Sequence, residues 1–289
     1  MSDFFSLTTN INKEARDLLV LGISWDKSSS YRFGAIQGPN YIRNATSSKI
    51  YNTFTETGIE LSQRWKINDL GNIDTKDKNF SEIISSISDQ IEKHRTEEPI
   101  MFLGGDHLIT YLCLHAINPK NTGIIYFDAH PDLYDTYEGS KYSHACVLRR
   151  VLEYTEIKSQ NIVQVGIRAA TKEQIDFANE KGILIVTRKE VLRLGIENLE
   201  KKIKERTGHL DQIYLSIDLD VLDPAYAPGV GNPEPAGLST SNVVDLIHEL
   251  AGLPIKFFDI VEINPKHDKS GITGYAAAKI IKEIFGIVS

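Results

Sequence analysis

Acidic residues and histidines recur in four short segments of this sequence. The segments read LGGDH at 103–107, FDAHPDLYD at 127–135, SIDLDVLDP at 216–224 and DIVEINP at 259–265. In the second, Asp128, His130 and Asp132 stand at positions i, i+2 and i+4. Asp218 and Asp220 repeat this interval in the third. Since an extended backbone turns alternate residues toward the same side, we expect each group to face one site.

Metal binding is the chemistry that this set of residues favours. With His107 added, it contains four carboxylates and two imidazoles. Four carboxylates in an apolar surround repel one another or take up protons unless cations balance their charge. Two divalent cations would do so, and oxygen-rich ligation with fewer imidazoles suits manganese better than zinc. A single D-x-H or D-x-D pattern is more often a cap or a turn, but four clusters that each follow a strand favour a metal site.

Apolar, β-branched runs precede the four segments and recur along the chain. They predict strands at 17–23, 64–68, 99–103, 123–127, 161–167, 182–186, 211–217 and 254–260. Helical patterns lie between them at 38–47, 80–95, 108–117, 143–154, 171–181, 188–206, 240–252 and 272–286. This alternation is typical of a parallel sheet covered on both faces, which binds ligands outside the carboxyl ends of its strands.

The sequence thus predicts one α/β domain over residues 1–289. An eight-stranded (β/α) barrel would fit the same alternation. The longest irregular stretch, at 218–239, is rich in proline and glycine, and a long ordered loop in a compact domain is usually functional.

Composition narrows the classes of function. The net charge of −7 disfavours nucleic acid as a partner and is compatible with a cationic substrate. The sequence lacks an apolar run of about 20 residues, and its polar N-terminus lacks a signal-peptide core, so we expect a cytoplasmic protein that does not bind membranes. Cys113 and Cys146 form no disulfide framework and are interpreted as buried free thiols.

Six motifs in order resemble the ureohydrolase family, which includes the arginases and agmatinases. They are GISWDKSSSYRFGAIQGPNYIR, GGDH, DAHPDLYD, SHACVLRR, SIDLDVLDPAYAPGVGNPEPAG and DIVEINP. The resemblance implies a three-layer α/β/α domain with a parallel eight-stranded sheet and two manganese ions (Mn²⁺) bridged by hydroxide. It also implies a homo-oligomer, a trimer or a hexamer.

The resemblance assigns roles to individual residues. One metal would be bound by His107, Asp128, Asp132 and Asp218, and the other by His130, Asp128, Asp218 and Asp220. Glu262 matches the carboxylate that holds the guanidinium group, and His144 matches the histidine that carries a proton to or from the leaving amine. Glu262 could instead be a solvated loop acid, and His144 a structural residue at a helix N-terminus.

Substrate preference is implied at two positions. Tyr134 stands where arginases have an asparagine that grips the amino-acid head group, and the chain has PEPAG where agmatinases commonly have PEPGG. These features favour agmatine, which would be hydrolysed to putrescine and urea. HACV in place of HGT, Pro131 in place of threonine, and Asn232 at a variable, substrate-facing place depart from the usual pattern. Guanidinobutyrate, formimidoylglutamate, arginine and a non-catalytic metal-binding role therefore remain alternatives.

Overall fold

The computed structural model describes residues 3–10, 12–94 and 98–288. Within these ranges, eight strands form one all-parallel sheet in the order β2-β1-β3-β8-β7-β4-β5-β6. The strands are β1 Arg16–Ile23, β2 Trp65–Ile73, β3 Ile100–Gly104, β4 Thr122–Phe127, β5 Ile162–Ile167, β6 Leu184–Thr187, β7 Gln212–Asp218 and β8 Ile255–Val261. All eight predicted strands are present. Because β2 and β6 are edges, the barrel alternative is wrong.

Helices cover both faces of the sheet, which confirms the single three-layer α/β domain. The helices of the described residues are α1 Gly38–Ala45, α2 Phe80–Lys93, α3 Leu108–Ile117, α4 Val147–Tyr154, α5 Lys172–Lys181, α6 Arg188–Leu194, α7 Ile196–Thr207, α8 Thr240–Glu249 and α9 Ile272–Ile287. Apolar residues of α1 and α6–α9 pack on one face, and those of α2–α5 pack on the other. In the described part of the chain, no helix is long and apolar enough to cross a membrane.

Side chains at the helix N-termini explain where several helices begin. Ser239 caps α8 in a capping box with Asn242. Thr171 caps α5, and the side chain that returns to it is Gln174. Each box satisfies backbone N–H groups that have no partner inside the helix.

The largest differences from the predicted elements are a divided helix and a lengthened strand. The helix expected at 188–206 is two helices, α6 and α7, because Gly195 between them has a φ of 75° and interrupts the helical backbone. Strand β2 continues to Ile73, well past the predicted end at residue 68. Its polar continuation is tolerated because β2 is an edge strand, where Asp69 pairs with Arg43 at 2.7 Å.

Candidate metal centre

The four polar segments follow the four central strands of the sheet. His107 lies just beyond β3, Asp128 directly follows β4, Asp218 is the last residue of β7, and Glu262 directly follows β8. The strand order β3-β8-β7-β4 makes these four ends neighbours. The fold therefore brings together at one edge the residues that the sequence places far apart.

Three carboxylates converge on one nitrogen of His107. Its Nδ1 lies 2.9 Å from Oδ2 of Asp218, 3.1 Å from Oδ2 of Asp128 and 3.5 Å from Oδ2 of Asp132. A ring nitrogen carries at most one hydrogen, so it cannot bond all three acceptors. A cation among these oxygens would satisfy them together.

A second group forms around His130. Its Nδ1 lies 2.9 Å from Oδ2 of Asp220 and 3.5 Å from Oδ1 of Asp128. Asp128 thus contributes one oxygen to each group, as a carboxylate between two cations would. The structure brings all six predicted ligands together, and their binding of metal stays a prediction.

Electrostatics also favours bound cations. Burial and the neighbouring Asp128 carboxylate raise the pKa of Asp132 to about 8. Burial, followed by the other carboxylates, also raises the pKa values of Asp218 and Asp220. Burial acts in the same direction on Asp128, but the imidazoles of His107 and His130 outweigh it and bring its pKa below the usual range. Divalent cations would relieve the repulsion that contributes to these three raised pKa values.

Buried side-chain oxygens without a hydrogen-bond partner indicate whether the residues fit metal ions. Oδ2 of Asp128 is buried and receives no hydrogen bond. Two groups of residues share Asp128. One group adds His107 and Asp132, and the other adds His130 and Asp220. In each group the ligand atoms lie close enough together to hold one ion. Buried carboxylates with two imidazoles suit a hard divalent ion such as Mn²⁺. The residues therefore fit a pair of divalent cations.

Ser216 and Asp259 orient His107, and sequence reasoning gave them no role. The Nε2 of His107 lies 2.9 Å from the Ser216 hydroxyl, which donates to Oδ1 of Asp259 at 2.7 Å. The hydroxyl therefore accepts from Nε2–H, and the lone pair of Nδ1 faces the carboxylates. Such bonds fix the tautomer of a metal-binding histidine. The sequence signal is the position of Ser216 two residues before Asp218, on the same side of β7.

Tyr126 supports the same site from β4 and was also missed. Its ring stacks on His107 with centroids 4.5 Å apart and planes 3° apart. Its hydroxyl donates to Oδ2 of Asp132 at 2.7 Å. Its place two residues before Asp128 is again the signal in the sequence.

Glu262 and His144 form a buried pair beside the carboxylates. Oε1 of Glu262 accepts from the His107 backbone N–H at 2.9 Å and lies 2.7 Å from Nδ1 of His144, whereas Oε2 is buried and without a hydrogen bond. Glu262 is 2% exposed and so is not a solvated loop acid. Its φ of 64° is a left-handed conformation that costs a non-glycine residue roughly 1–2 kcal/mol, a strain typical of functional sites.

His144 begins a 3₁₀ turn, His144–Cys146, that leads into α4. The helix N-terminal position is therefore correct, but its ring also faces Glu262. Burial acts to lower the pKa of His144, and the carboxylate of Glu262 outweighs it and raises the pKa to about 9. The same pairing, against the effect of burial, brings the pKa of Glu262 below its usual value.

A cavity of about 130 Å³ opens onto these groups. It is lined by His144, Glu262 and several of the metal-site residues, and also by Tyr134 and Asn232, the residues predicted to contact substrate. The Tyr134 ring lies 5.2 Å from that of Tyr137, another lining residue. Among the described residues that line the cavity there is no lysine or arginine.

Other acids near the site hold loops. Asp106 accepts from the backbone N–H of Ser28, and Asp223 accepts from those of Ala225 and Gly237. Asp135, the last residue of FDAHPDLYD, accepts from Nη2 of Arg150 at 3.1 Å and ties that segment to α4.

Comparison with known proteins identifies the family. The chain matches the Arginase family over residues 16–286. The chain belongs to the Arginase family. The expected resemblance to ureohydrolases is confirmed, and the fold agrees with that of solved family members.

Three members of this family show the range of named activities. Arginase 1, mitochondrial, from Oryza sativa subsp. indica is 34% identical over 282 residues, covering 93% of this chain and 81% of that protein. Guanidinobutyrase from Pseudomonas aeruginosa is 31% identical over 280 residues, covering 95% and 87%. The crystal structure of agmatine ureohydrolase of Thermoplasma volcanium has a TM-score of 0.83 and 31% identity, covering 98% of this chain and 93% of that one. The protein is therefore an Arginase-family guanidino hydrolase, and its relatives act on different substrates.

Proposed function

We propose that this Arginase-family protein hydrolyses agmatine to putrescine and urea, using two Mn²⁺ ions held by His107, His130 and the four aspartates. Water adds its oxygen to the guanidinium carbon, the bond from that carbon to the chain nitrogen breaks, and both water protons end on the departing amine. The observation that carries the proposal is the buried, unpartnered Oε2 of Glu262 in the cavity that the metal-site acids line.

Glu262 is suited to bind the guanidinium group. Its Oε1 is occupied by His107 and His144, so Oε2 is the oxygen that remains for a substrate N–H. A hydrogen bond between a buried carboxylate and a guanidinium is charge-assisted and directional. Glu262 would therefore place the guanidinium carbon above the predicted metal ligands.

The two metal ions would lower the pKa of a bound water, so that hydroxide is available near neutral pH. His144 lines the same cavity and is held by Glu262 through Nδ1. An imidazole in this position can carry a proton to the amine nitrogen as the C–N bond breaks. Metal stoichiometry, the identity of the ion and the role of His144 are parts of the proposal.

The residues that line the cavity favour an amine over a carboxylate at the other end of the substrate. Guanidinobutyrate, arginine and formimidoylglutamate all carry a carboxylate, and the described lining residues include no lysine or arginine to pair with it. Tyr134 and Tyr137 instead offer two aromatic rings to an ammonium group. A cation over an aromatic face is stabilised by roughly 0.5–1 kcal/mol at exposed sites and more when desolvated.

A panel of substrates tests this proposal. Urea release by Mn²⁺-loaded protein is measured with agmatine, arginine and guanidinobutyrate, and formamide release with formimidoylglutamate. We expect the highest kcat/KM for agmatine. A higher value for another member of the panel would contradict the choice of substrate. If two metals are bound and nothing is hydrolysed, the non-catalytic alternative holds.

A variant of the aromatic pair tests the binding mode. Tyr137→Leu should raise KM for agmatine severalfold with little change in kcat, because it removes one of the two aromatic rings that line the cavity. Tyr154→Leu is the matched control, since Tyr154 packs near Tyr111 and His115, away from the cavity lining. Equal KM values for both variants would contradict the placement of the amine.

The remaining partner predictions rest on the resemblance and on composition. A small cationic guanidino substrate agrees with the net charge of −7, as does the expected absence of a nucleic-acid partner. A trimeric or hexameric assembly and a cytoplasmic location stay predictions.

A further inference from the structure

The hydroxyl of Ser30 contacts the ring nitrogen of His144 that Glu262 leaves free. Ser30 Oγ lies 2.8 Å from Nε2 of His144, and the backbone N–H of Ser30 donates to the same nitrogen at 3.1 Å. Nδ1 of His144 is 2.7 Å from Oε1 of Glu262. Ser30, His144 and Glu262 therefore form one continuous chain along the wall of the cavity.

Ser30 lies in a loop that is held in place by hydrogen bonds. The loop joins β1 to the helical turns that precede α1. The Ser28 N–H donates to Oδ2 of Asp106 at 2.8 Å, and the His144 N–H donates to the Ser28 carbonyl at 3.0 Å. The indole N–H of Trp25 donates to the Ser28 hydroxyl at 3.0 Å. These bonds place Ser30 against His144 before any substrate arrives.

The donors around Nε2 determine which nitrogen of His144 carries hydrogen. A backbone N–H can only donate, so in this arrangement Nε2 is an acceptor. The single hydrogen of the neutral ring then lies on Nδ1 and points to Glu262. Asn232 Nδ2 donates to Ser30 Oγ at 3.4 Å, which leaves the hydroxyl hydrogen of Ser30 free to point to Nε2.

We propose that Ser30 is a positioning residue that holds His144 with Nδ1–H toward Glu262, and that its hydroxyl passes protons between Nε2 and the cavity. Toward the departing amine, Ser30 Oγ takes a hydrogen from Nε2 of the protonated ring and gives its own to the amine nitrogen. In the opposite direction, Oγ gives its hydrogen to Nε2 and takes one from a water in the cavity, so the hydroxyl is unchanged after each transfer. The second role rests on the proposed function, since a proton must reach the departing amine. The first role concerns the protein alone.

The tautomer of His144 tests the first role without any turnover. The ring nitrogens are observed by NMR in protein containing ¹⁵N-histidine, loaded with Mg²⁺ as a diamagnetic ion, at about pH 10 so that the ring is neutral. His144→Gln identifies the signals. We expect the Nδ1–H tautomer in the wild type and in Ser30→Ala, which keeps the backbone N–H donor. In Ser30→Pro, which lacks both the N–H and the hydroxyl, we expect a mixture with the Nε2–H tautomer. The Nε2–H tautomer in the wild type, or no mixture in Ser30→Pro, would overturn the proposal.

Kinetics on the Mn²⁺-loaded enzyme test the second role. Ser30→Ala should lower kcat at least about tenfold with KM within about twofold, because proton transfer and not binding is impaired. Ser30→Thr keeps the hydroxyl and should restore most of kcat. Loss of kcat in Ser30→Thr equal to that in Ser30→Ala would overturn the relay.

Ser29→Ala is the matched control. The Ser29 hydroxyl is adjacent and buried but receives and donates no hydrogen bond, so its removal should leave the tautomer and kcat unchanged. An equal loss of kcat in both alanine variants would count against a specific role for Ser30. If Ser30→Ala does not fold, Ser30→Cys replaces it in both measurements. If the wild type releases no urea from any substrate, the proposed function fails, while the tautomer measurement still decides the positioning role.

Discussion

At the scale of residues, the site is defined by buried acidic side chains with an oxygen that has no hydrogen-bond partner. Asp128 faces both histidine groups and has an oxygen without a hydrogen bond. Glu262 has the same feature at Oε2. A buried acceptor without a partner is costly, so each oxygen indicates a ligand that completes it. For Asp128 we propose a metal ion, and for Glu262 the guanidinium group.

Glu262→Gln tests this division of roles. The variant keeps the shape of the side chain but loses its charge, so kcat/KM for agmatine should fall about a hundredfold or more while two metals remain bound. Asp218→Ala is the contrast, since it removes a predicted ligand and should abolish metal loading together with activity. Metal content is measured by mass spectrometry. Equal metal loss in the two variants would refute the separate roles.

The His144–Glu262 pair also makes a pH-dependent contribution to stability. The pKa of His144 is raised from 6.5 to about 9, so the contribution is complete below pH 6.5 and is lost as the pH rises through 9. In chelator-treated protein, the free energy of unfolding of the wild type should exceed that of His144→Gln by up to roughly 3 kcal/mol at low pH. Urea denaturation across this range measures it. A difference that does not change between pH 6.5 and 9 would contradict the pairing.

At the scale of elements, the turn from β3 to α3 positions both His107 and the loop that carries Ser30. The backbone N–H of Asp106 donates to the Trp25 carbonyl at 2.7 Å. This approach requires glycine at 105, because a Cβ there would lie 1.7 Å from the Trp25 carbonyl oxygen. The GGDH motif therefore carries the predicted metal ligand His107 and also places its backbone in close contact with that of Trp25.

Gly105→Ala should disturb this contact and the metal site together. The backbone of Trp25 must move, so we expect a loss of roughly 3 kcal/mol of unfolding free energy and reduced metal content. Gly123→Ala is a milder contrast, because its Cβ would meet Cδ1 of Leu210 at 2.6 Å and the Asn161 carbonyl oxygen at 3.2 Å, neither as close as the Trp25 backbone. Denaturant unfolding and metal analysis compare the two. A Gly105→Ala protein with the unfolding free energy and the metal content of the wild type would contradict this role of Gly105.

Several parts of the fold were predictable because each has a local signal. Apolar runs located all eight strands, and the i, i+2 spacing identified acids that the sheet brings to one edge. Strand order was not determined by periodicity, since it depends on which strands pair across the chain. The break at Gly195 was missed because the helical pattern on either side continues in phase. Ser216, Tyr126 and Ser30 were missed because their roles depend on contacts between distant segments.

At the scale of the whole molecule, a single sheet places four strand ends next to one another, and they carry the six predicted ligands together with Glu262. The net charge of −7 gives a field that attracts a cationic substrate and divalent ions alike. Family membership and geometry thus support the same account: metal ions held by six side chains enable hydrolysis of a guanidino compound.

Titration of metal-free protein with Mn²⁺, with urea release from agmatine and bound metal measured in parallel, tests this central claim most directly. The account predicts that activity rises with bound Mn²⁺ and reaches its plateau at two ions per chain. Full activity at one ion, or no urea from agmatine when two ions are bound, would contradict it.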